Sequence, residues 1–300
     1  MVDDGPPPGG EGVVVDVVSA GVCGSDLHLL AWDLPFIMGH EMAGRLADGT
    51  PVAVEPVAPC GTCARCRMGD YNLCQIGPPM VMGVGRDGGM AERCVVPESS
   101  LTRLPAGVEP ADACLVEPLA VAVHGVRRSG VTAAHRVCVV GGGSIGQLAL
   151  VAAQATGAEA ALEARHDRQR DVAERLGGRP VAGDYDVVLE AAGTASALER
   201  AVELTRPGGT VVMLGTYWDA AQLPVPALPV AMKEVTLVPA YMYSRSGPVR
   251  DFEVAAAVLA ARPEVAPLLI THRFPLDACA EAFATARDRA AGAIKVVLEP

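Results

Sequence analysis

Four cysteines, Cys60, Cys63, Cys66 and Cys74, fall in the segment C-G-T-C-A-R-C-R-M-G-D-Y-N-L-C, a C-x2-C-x2-C-x7-C spacing. Four thiolates this close saturate a tetrahedral zinc and leave no open position, so the segment is expected to fold as a small metal-closed lobe. A second set of candidate ligands is dispersed: Cys23 in G-V-C-G-S-D-L-H, His40 and Glu41 in G-H-E, and Glu117 in an E-P pair. Mixed Cys, His and carboxylate donors from distant segments are the usual form of a zinc that keeps a place for water or substrate. The chain is therefore expected to hold two zinc ions, one for architecture and one for chemistry.

At 300 residues there is room for two domains of ordinary size, each with its own core. The net charge is -11 and only Lys233 and Lys295 are lysines, which argues against a nucleic-acid partner. No apolar run reaches the ~20 residues of a membrane span, and M-V-D-D-G-P-P-P-G-G lacks the charged and apolar regions of a signal peptide. A soluble, cytoplasmic protein with no membrane partner is expected. In a chain without an export signal, C-x2-C spacing points to metal rather than disulfide. Of the remaining cysteines, Cys94, Cys114, Cys138 and Cys279 lie in apolar surroundings and are expected to be buried small hydrophobes.

Short β-rich runs at Val13–Ser19, Val52–Val57 and Glu92–Val96, punctuated by Gly and Pro, dominate the first third. From about residue 121 strands alternate with Ala/Leu-rich helices, the pattern of a parallel sheet. Strands are predicted at Arg136–Val140, Ala160–Ala164, Asp186–Ala191, Thr210–Leu214 and Val235–Tyr241, with helices at Ser144–Thr156, His166–Leu176, Ala195–Thr205 and Phe252–Ala261. The tail is predicted to hold a helix at Leu276–Arg287 and a strand at Ala293–Leu298. The fold class is α/β: a β-rich domain over residues 1–122, to which 263–300 return, and a doubly wound parallel sheet over 123–262. Only seven residues lie between Gly178 and Asp186, fewer than the dozen or so a parallel crossover needs, so one strand–helix unit of that sheet is expected to be lost or vestigial.

The stretch V-C-V-V-G-G-G-S-I-G places Gly141, Gly143 and Gly146 in G-x-G-x-x-G directly between an apolar strand and a helix. That context gives a dinucleotide-binding loop: Gly141 for the tight turn, Gly143 for close approach of the pyrophosphate, Gly146 for helix–strand packing. The loop residues Ser144 and Ile145 open the helix whose N-terminus favours the anion. Further cofactor contacts are expected from Gly193 and Gly215, each just past a predicted strand. At the end of the second strand the sequence reads A-L-E-A-R-H, so Glu163 falls early and a small residue followed by Arg165 and His166 takes the usual acidic position. A guanidinium there suits a 2′-phosphate, so NADP(H) is expected in preference to NAD(H).

The five motifs G-V-C-G-S-D-L-H, G-H-E, the four-cysteine lobe, V-E-P-L-A-V-A-V-H and V-V-G-G-G-S-I-G occur in that order. Over nearly the whole chain this resembles the zinc-dependent medium-chain dehydrogenase/reductase (alcohol dehydrogenase) family, most of all its sorbitol-type polyol and threonine dehydrogenase branches. The resemblance implies a GroES-like catalytic domain beside a Rossmann domain, with the active site in the cleft between them. It implies that Cys23 and His40 are catalytic zinc ligands and that Glu41 and Glu117 ligate directly or through water. Ser25 then matches the hydroxyl that bonds the substrate oxygen, and His28 the end of a proton relay. The reaction implied is hydride transfer between a nicotinamide and a secondary alcohol or polyol-like substrate.

The chain is short for that family. Eleven residues separate His28 from His40, Arg45–Val52 is abbreviated, and the strands expected before Val13 are largely missing. Two other readings compete: a zinc-retaining reductase of a conjugated or imine double bond, and a non-catalytic zinc-binding scaffold or regulatory protein. An apolar edge strand at Val235–Tyr241 predicts a homodimer or homotetramer.

Overall fold

The computed structural model describes residues 12–218 and 222–300. The N-terminal stretch read above as lacking both a signal peptide and the earlier strands lies outside the described residues. Two compact units form: one takes the chain up to Glu117 together with Ser244–Pro300, the other Pro118–Tyr243. No helix of the described residues is long and apolar enough to cross a membrane.

The first unit is built on strands rich in valine. β1 (Val13–Val22) is followed by the short helix α1 (Gly24–Leu29), then β2 (Glu41–Arg45) and β3 (Pro51–Val54). Helix α2 (Ala64–Met68) lies inside the four-cysteine lobe, and β4 (Arg93–Val96) and β5 (Leu101–Arg103) complete the first pass. Along β1 the inward positions Val15 and Val17, and after a register shift Ala20 and Val22, bury one face against Met42, Val52, Val54 and Val96.

The second unit is the predicted parallel sheet. Helix α3 (Val116–Ser129) leads into β6 (Arg136–Val140), α4 (Ser144–Ala155), β7 (Glu159–Glu163) and α5 (Asp167–Arg175). It continues through β8 (Tyr185–Glu190), α6 (Ala195–Leu204), β9 (Thr205–Met213), α7 (Ala227–Lys233) and β10 (Thr236–Pro239). The strand order is β10-β9-β8-β6-β7, all parallel. Between α5 and β8 the described chain makes one parallel bridge, Arg179 to Ala161 of β7, with no helix. Arg179 sits on the outer side of β7, where a full doubly wound sheet carries its third strand. The expected loss of that strand–helix unit is therefore observed, and a single residue is its remnant.

The chain then returns to the first unit as β11 (Arg245–Ser246), β12 (Val249–Arg250), α8 (Asp251–Ala261), α9 (Val265–Leu269), β13 (Ile270–Pro275), α10 (Cys279–Arg287) and β14 (Lys295–Glu299). Strand order there is β13-β14-β1-β2-β3-β5, with β4 also on β1. The return begins at residue 244, not at the expected 263, and the outgoing boundary lies at 117/118 rather than 122/123. Side chains the sequence pattern does not pair explain it. Arg250 donates to Glu55 at 2.8 Å and to the Thr102 hydroxyl at 2.9 Å, Tyr71 donates to Glu55 at 2.5 Å, and the Ser244 N–H donates to Asp251 at 2.9 Å. Helix α8 is thereby tied to the first unit. Cys279 also departs from expectation: Cys94, Cys114 and Cys138 are buried, but Cys279 opens α10 and is exposed.

Lys233 has a local task at the end of α7. Its ammonium donates to the carbonyls of Val202 (3.2 Å), Glu203 (2.8 Å) and Thr205 (2.9 Å), closing the C-terminus of α6, where unpaired carbonyls and the helix dipole favour a cation. Lys233→Met is expected to cost about 1–2 kcal/mol, read as a lower midpoint in urea unfolding; an unchanged midpoint would remove the capping role.

Candidate active site

The four-cysteine lobe closes on itself. Sγ–Sγ distances are 3.4 Å for Cys63–Cys66, 3.9 Å for Cys60–Cys66 and 4.0 Å for Cys63–Cys74. These bracket the ~3.8 Å edge of a tetrahedron with zinc–sulfur bonds of ~2.3 Å, and all four cysteines are free thiols rather than disulfides. Backbone N–H groups of Thr62 and Cys63 lower the Cys60 thiol to about 6, whereas burial pushes Cys66 up to about 12. The donor set fits a structural zinc.

The dispersed set converges as well. Ligand atoms of Cys23, His40 and Glu41 all lie within 4.8 Å of one another. Cys23 lies between β1 and α1, and the G-H-E stretch leads into β2, so the pairing of Gly21 with Glu41 brings the donors together. Asp26, in the first turn of α1, was not singled out from the sequence. One of its oxygens accepts from the Cys23 N–H at 2.9 Å, and the other lies 3.4 Å from His40 Nδ1. That contact is an ion-pair approach rather than a hydrogen bond, and it leaves Nε2, the nitrogen on the Ser25 side, facing the other donors. Burial works to lower the His40 pKa, but Asp26 and Cys23 outweigh it and raise it well above the ordinary value. The C-x2-D spacing was the available signal for Asp26.

Ser25 Oγ lies 3.4 Å from His40 Nε2, and His28 is half-buried on the same helix. Glu117 is buried at the start of α3, outside the donor group around Cys23. Leu30 and Trp32, beyond α1, are exposed.

Glu41 has a partner the sequence did not reveal. Lys295 Nζ donates to both its oxygens, at 2.8 and 2.6 Å, and to the Val22 carbonyl at 3.3 Å. Lysine and glutamate are 2% and 0% exposed. Burial alone would lower the lysine pKa; the Glu41 carboxylate reverses this and raises it. A Cβ on Gly21 would stand 2.1 Å from Glu41 Oε2, so only glycine leaves the carboxylate its seat.

In the second unit the glycine loop has the expected form. Gly141 has φ +116°, and a Cβ on Gly146 would lie 1.8 Å from the Gly141 carbonyl oxygen. Beside Gly143 a Cβ would meet nothing within 4 Å, so that side of the loop is open to a nucleotide. Ser144 and Ile145 begin α4. Glu163 is held by Arg200, whose Nε and Nη2 each donate to it at 2.9 Å, while Arg165 and His166 are exposed and Arg165 Nη2 bonds the Ser196 hydroxyl at 3.2 Å. Gly193 and Gly215 meet at Glu190, another residue not anticipated. Its carboxylate accepts from the N–H groups of Ala192 and Gly193 at 2.8 Å and from the Tyr217 hydroxyl at 2.6 Å, and its carbonyl accepts from Gly215. These loops leave the carboxyl ends of β8 and β9, where such sheets bind ligands.

Residues 9–106 match the alcohol dehydrogenase GroES-like domain family, and residues 111–299 match the glucose dehydrogenase C-terminus family. The chain is 33% identical over 311 residues to L-galactonate-5-dehydrogenase of Escherichia coli strain K12, covering 93% of this chain and 88% of that protein. It is 30% identical over 331 residues to human sorbitol dehydrogenase, covering 93% and 87%. A solved structure from Sinorhizobium meliloti 1021, assigned as a zinc-binding dehydrogenase and bound to NADP, is 30% identical with a TM-score of 0.85, covering 98% of this chain and 94% of that one. Fold and site thus define a two-unit dehydrogenase with a zinc-binding catalytic part and a nucleotide-binding sheet. The chain belongs to the zinc-dependent medium-chain dehydrogenase/reductase family, and it is an NAD(P)-linked oxidoreductase acting at the alcohol/ketone level.

Removing the cation from a buried pair leaves an uncompensated charge. Lys295→Met is expected to cost about 3–5 kcal/mol in unfolding free energy, and adding Glu41→Gln to restore a large part of it. Additive losses in the double variant would show that the two residues act independently.

Proposed function

We propose that this enzyme oxidises a secondary alcohol of a polyol or sugar acid, reversibly, with NADP(H) preferred as hydride carrier. The observation that carries the reading is the convergence of Cys23, His40 and Glu41 donors within 4.8 Å, with Asp26 directed at His40 from behind. When bound, zinc supplies the Lewis acidity that makes an alcohol proton acidic near neutral pH, and the nicotinamide supplies the hydride acceptor. Cys23 and His40 hold the metal, and Asp26 fixes the imidazole so that Nε2 faces it. Lys295 offsets the charge of Glu41, leaving this carboxylate a tethered rather than a free donor, and Glu117, outside that group, would act through water. Ser25 presents its hydroxyl beside the donors, takes the substrate proton and passes it towards His28. The names of the relatives, a galactonate and a sorbitol dehydrogenase, support a hydroxyl-rich substrate.

The cofactor preference rests on the second unit. Glu163 is occupied by Arg200, Ala164 is small, and Arg165 follows, which favours a 2′-phosphate over a bare ribose. Gly141, Gly143, Ser144, Ile145 and Gly146 cradle the pyrophosphate, with His166, Gly193 and Gly215 around them. The position of β10 at the sheet edge and the exposed Leu228 and Met232 of α7 support a homo-oligomer.

Two measurements test this. Metal analysis is expected to find two zinc ions per chain, falling to one in both Cys23→Ala and Cys66→Ser. Cys23→Ala is expected to stay folded while losing about a thousandfold or more in turnover on secondary alcohols, and retained turnover would refute the assignment. Arg165→Ala is expected to lower kcat/KM with NADP by about tenfold and leave NAD use nearly unchanged; a wild-type preference for NAD would overturn the cofactor reading.

A further inference from the structure

Gln147 is an odd occupant of its position. It is the fourth residue of α4 and fully buried, followed by Leu148, Ala149, Leu150 and Val151, all buried and apolar. A carboxamide in such a place is unfavourable unless its hydrogen bonds are made, and here half of it is idle: Oε1 has no partner among the described residues. The other half is fully used. Nε2 donates to the Gly142 carbonyl at 3.3 Å, inside the glycine loop, and to the Gln169 carbonyl at 2.7 Å, in the first turn of α5. A leucine would suit the apolar surroundings and remove the unpartnered side-chain oxygen but would take the donor from both carbonyls, so what glutamine adds is the link between these two elements.

We propose that Gln147 is a strut setting the separation of the glycine loop from the start of α5, and hence a positioning residue for 2′-phosphorylated nucleotides. On the loop side, a trans peptide points its C=O and N–H in opposite directions. Drawing the Gly142 carbonyl inward to Gln147 therefore aims the Gly143 N–H away from Gln147, at a glycine where even a Cβ would meet nothing within 4 Å. On the α5 side, Gln169 follows Arg165 by four residues, and Arg170 Nη1 donates back to the carbonyls of Ala164 (2.8 Å) and Arg165 (2.9 Å). The backbone carrying Arg165 is thus gripped by the same turn that Gln147 holds. Contact fixes the spacing from the other direction, since a Cβ on Gly142 would lie 2.6 Å from Ala164 Cβ and 2.7 Å from Gln169 Cβ.

The truncated sheet makes the strut necessary. In a full doubly wound sheet the helix after the second strand is anchored at its far end by a third strand. Here α5 runs into a single bridging residue, Arg179, whose N–H bonds the Ala160 carbonyl at 2.9 Å. With so little holding one end, the other end is tied down from α4.

This inference rests on the NADP reading above, and its test separates the two. Binding of 2′,5′-ADP and of 5′-ADP to the full-length protein is measured by calorimetry for wild type, Gln147→Leu and Gln147→Met, with thermal melting of each without nucleotide. The Met variant keeps the side-chain length, lacks donors, and serves if Leu does not fold. The expected result is a Tm unchanged or raised, 2′,5′-ADP affinity lowered about tenfold, and 5′-ADP affinity lowered less than about threefold. Unchanged affinity for both ligands, or equal losses for both, overturns the strut, as does a fall in Tm with binding intact. A wild type that binds 2′,5′-ADP no better than 5′-ADP overturns the NADP reading instead, a result visible before any variant is made.

Discussion

The ion pair between Lys295 and Glu41 is the contact on which the catalytic unit depends, because it joins the two ends of that unit at the cluster of Cys23, His40 and Glu41. Strands β14, β1 and β2 lie side by side, with Gly21 opposite both Glu41 and Val297. A slip of one residue in either ladder would move Lys295 or Glu41 to the opposite face and leave a charge buried without its partner. Such a pair is a poor source of net stability, but it makes one register far better than its neighbours. Since His40 precedes Glu41 directly, the register that satisfies the lysine also places the imidazole. Lys295 is thereby a condition of that donor cluster, although it lies 254 positions away in sequence.

The two ligand sets solve different problems in consequence. The cysteine lobe draws its donors from one short segment and takes its shape from local N–H to sulfur contacts, such as the Cys63 N–H on Cys60. It is nonetheless not an isolated knot. Tyr71 reaches Glu55, which Arg250 also grips, and the Gly69 carbonyl accepts from the Arg245 N–H. The lobe thus helps seat the segment by which the chain comes back from the nucleotide-binding unit. The dispersed set has no local support of that kind; it exists only where β1 and β2 pair and α1 turns Asp26 towards His40.

How far the sequence could be read follows from the same distinction. Spacing along the chain shows whatever is built from near neighbours: the C-x2-C-x2-C lobe, the glycine loop between strand and helix, and the gap before Asp186 that is too short for a strand and a helix. The dispersed ligands were legible only because their flanking motifs resemble a known family. Asp26 was within reach, three residues after Cys23, but an aspartate at that point also reads as an ordinary helix start. Lys295, Glu190 and the Arg250–Glu55 contact left no trace, because each owes its role to a partner supplied by another part of the fold. The misplaced boundary at 262/263 has the same origin: α8 looks like one more helix of the alternating series until Arg250 and Asp251 are seen to bond with the first unit.

The missing strand bears most on how the nucleotide is held. A doubly wound sheet ordinarily braces its second strand and the following helix from the far side, and the acidic residue at the end of that strand then engages the ribose. Here β7 is an edge bridged by one residue, and Glu163 bonds Arg200 on the neighbouring α6. Shortening the sheet thus coincides with pairing that carboxylate inside the protein. What remains at that corner is Ala164, Arg165 and the first turn of α5, tied through Arg170 and Gln147 to the glycine loop. A guanidinium gains little from a 2′-phosphate unless its own backbone is held still. In a sheet with one strand fewer, that rigidity has to come from hydrogen bonds rather than from an adjoining strand.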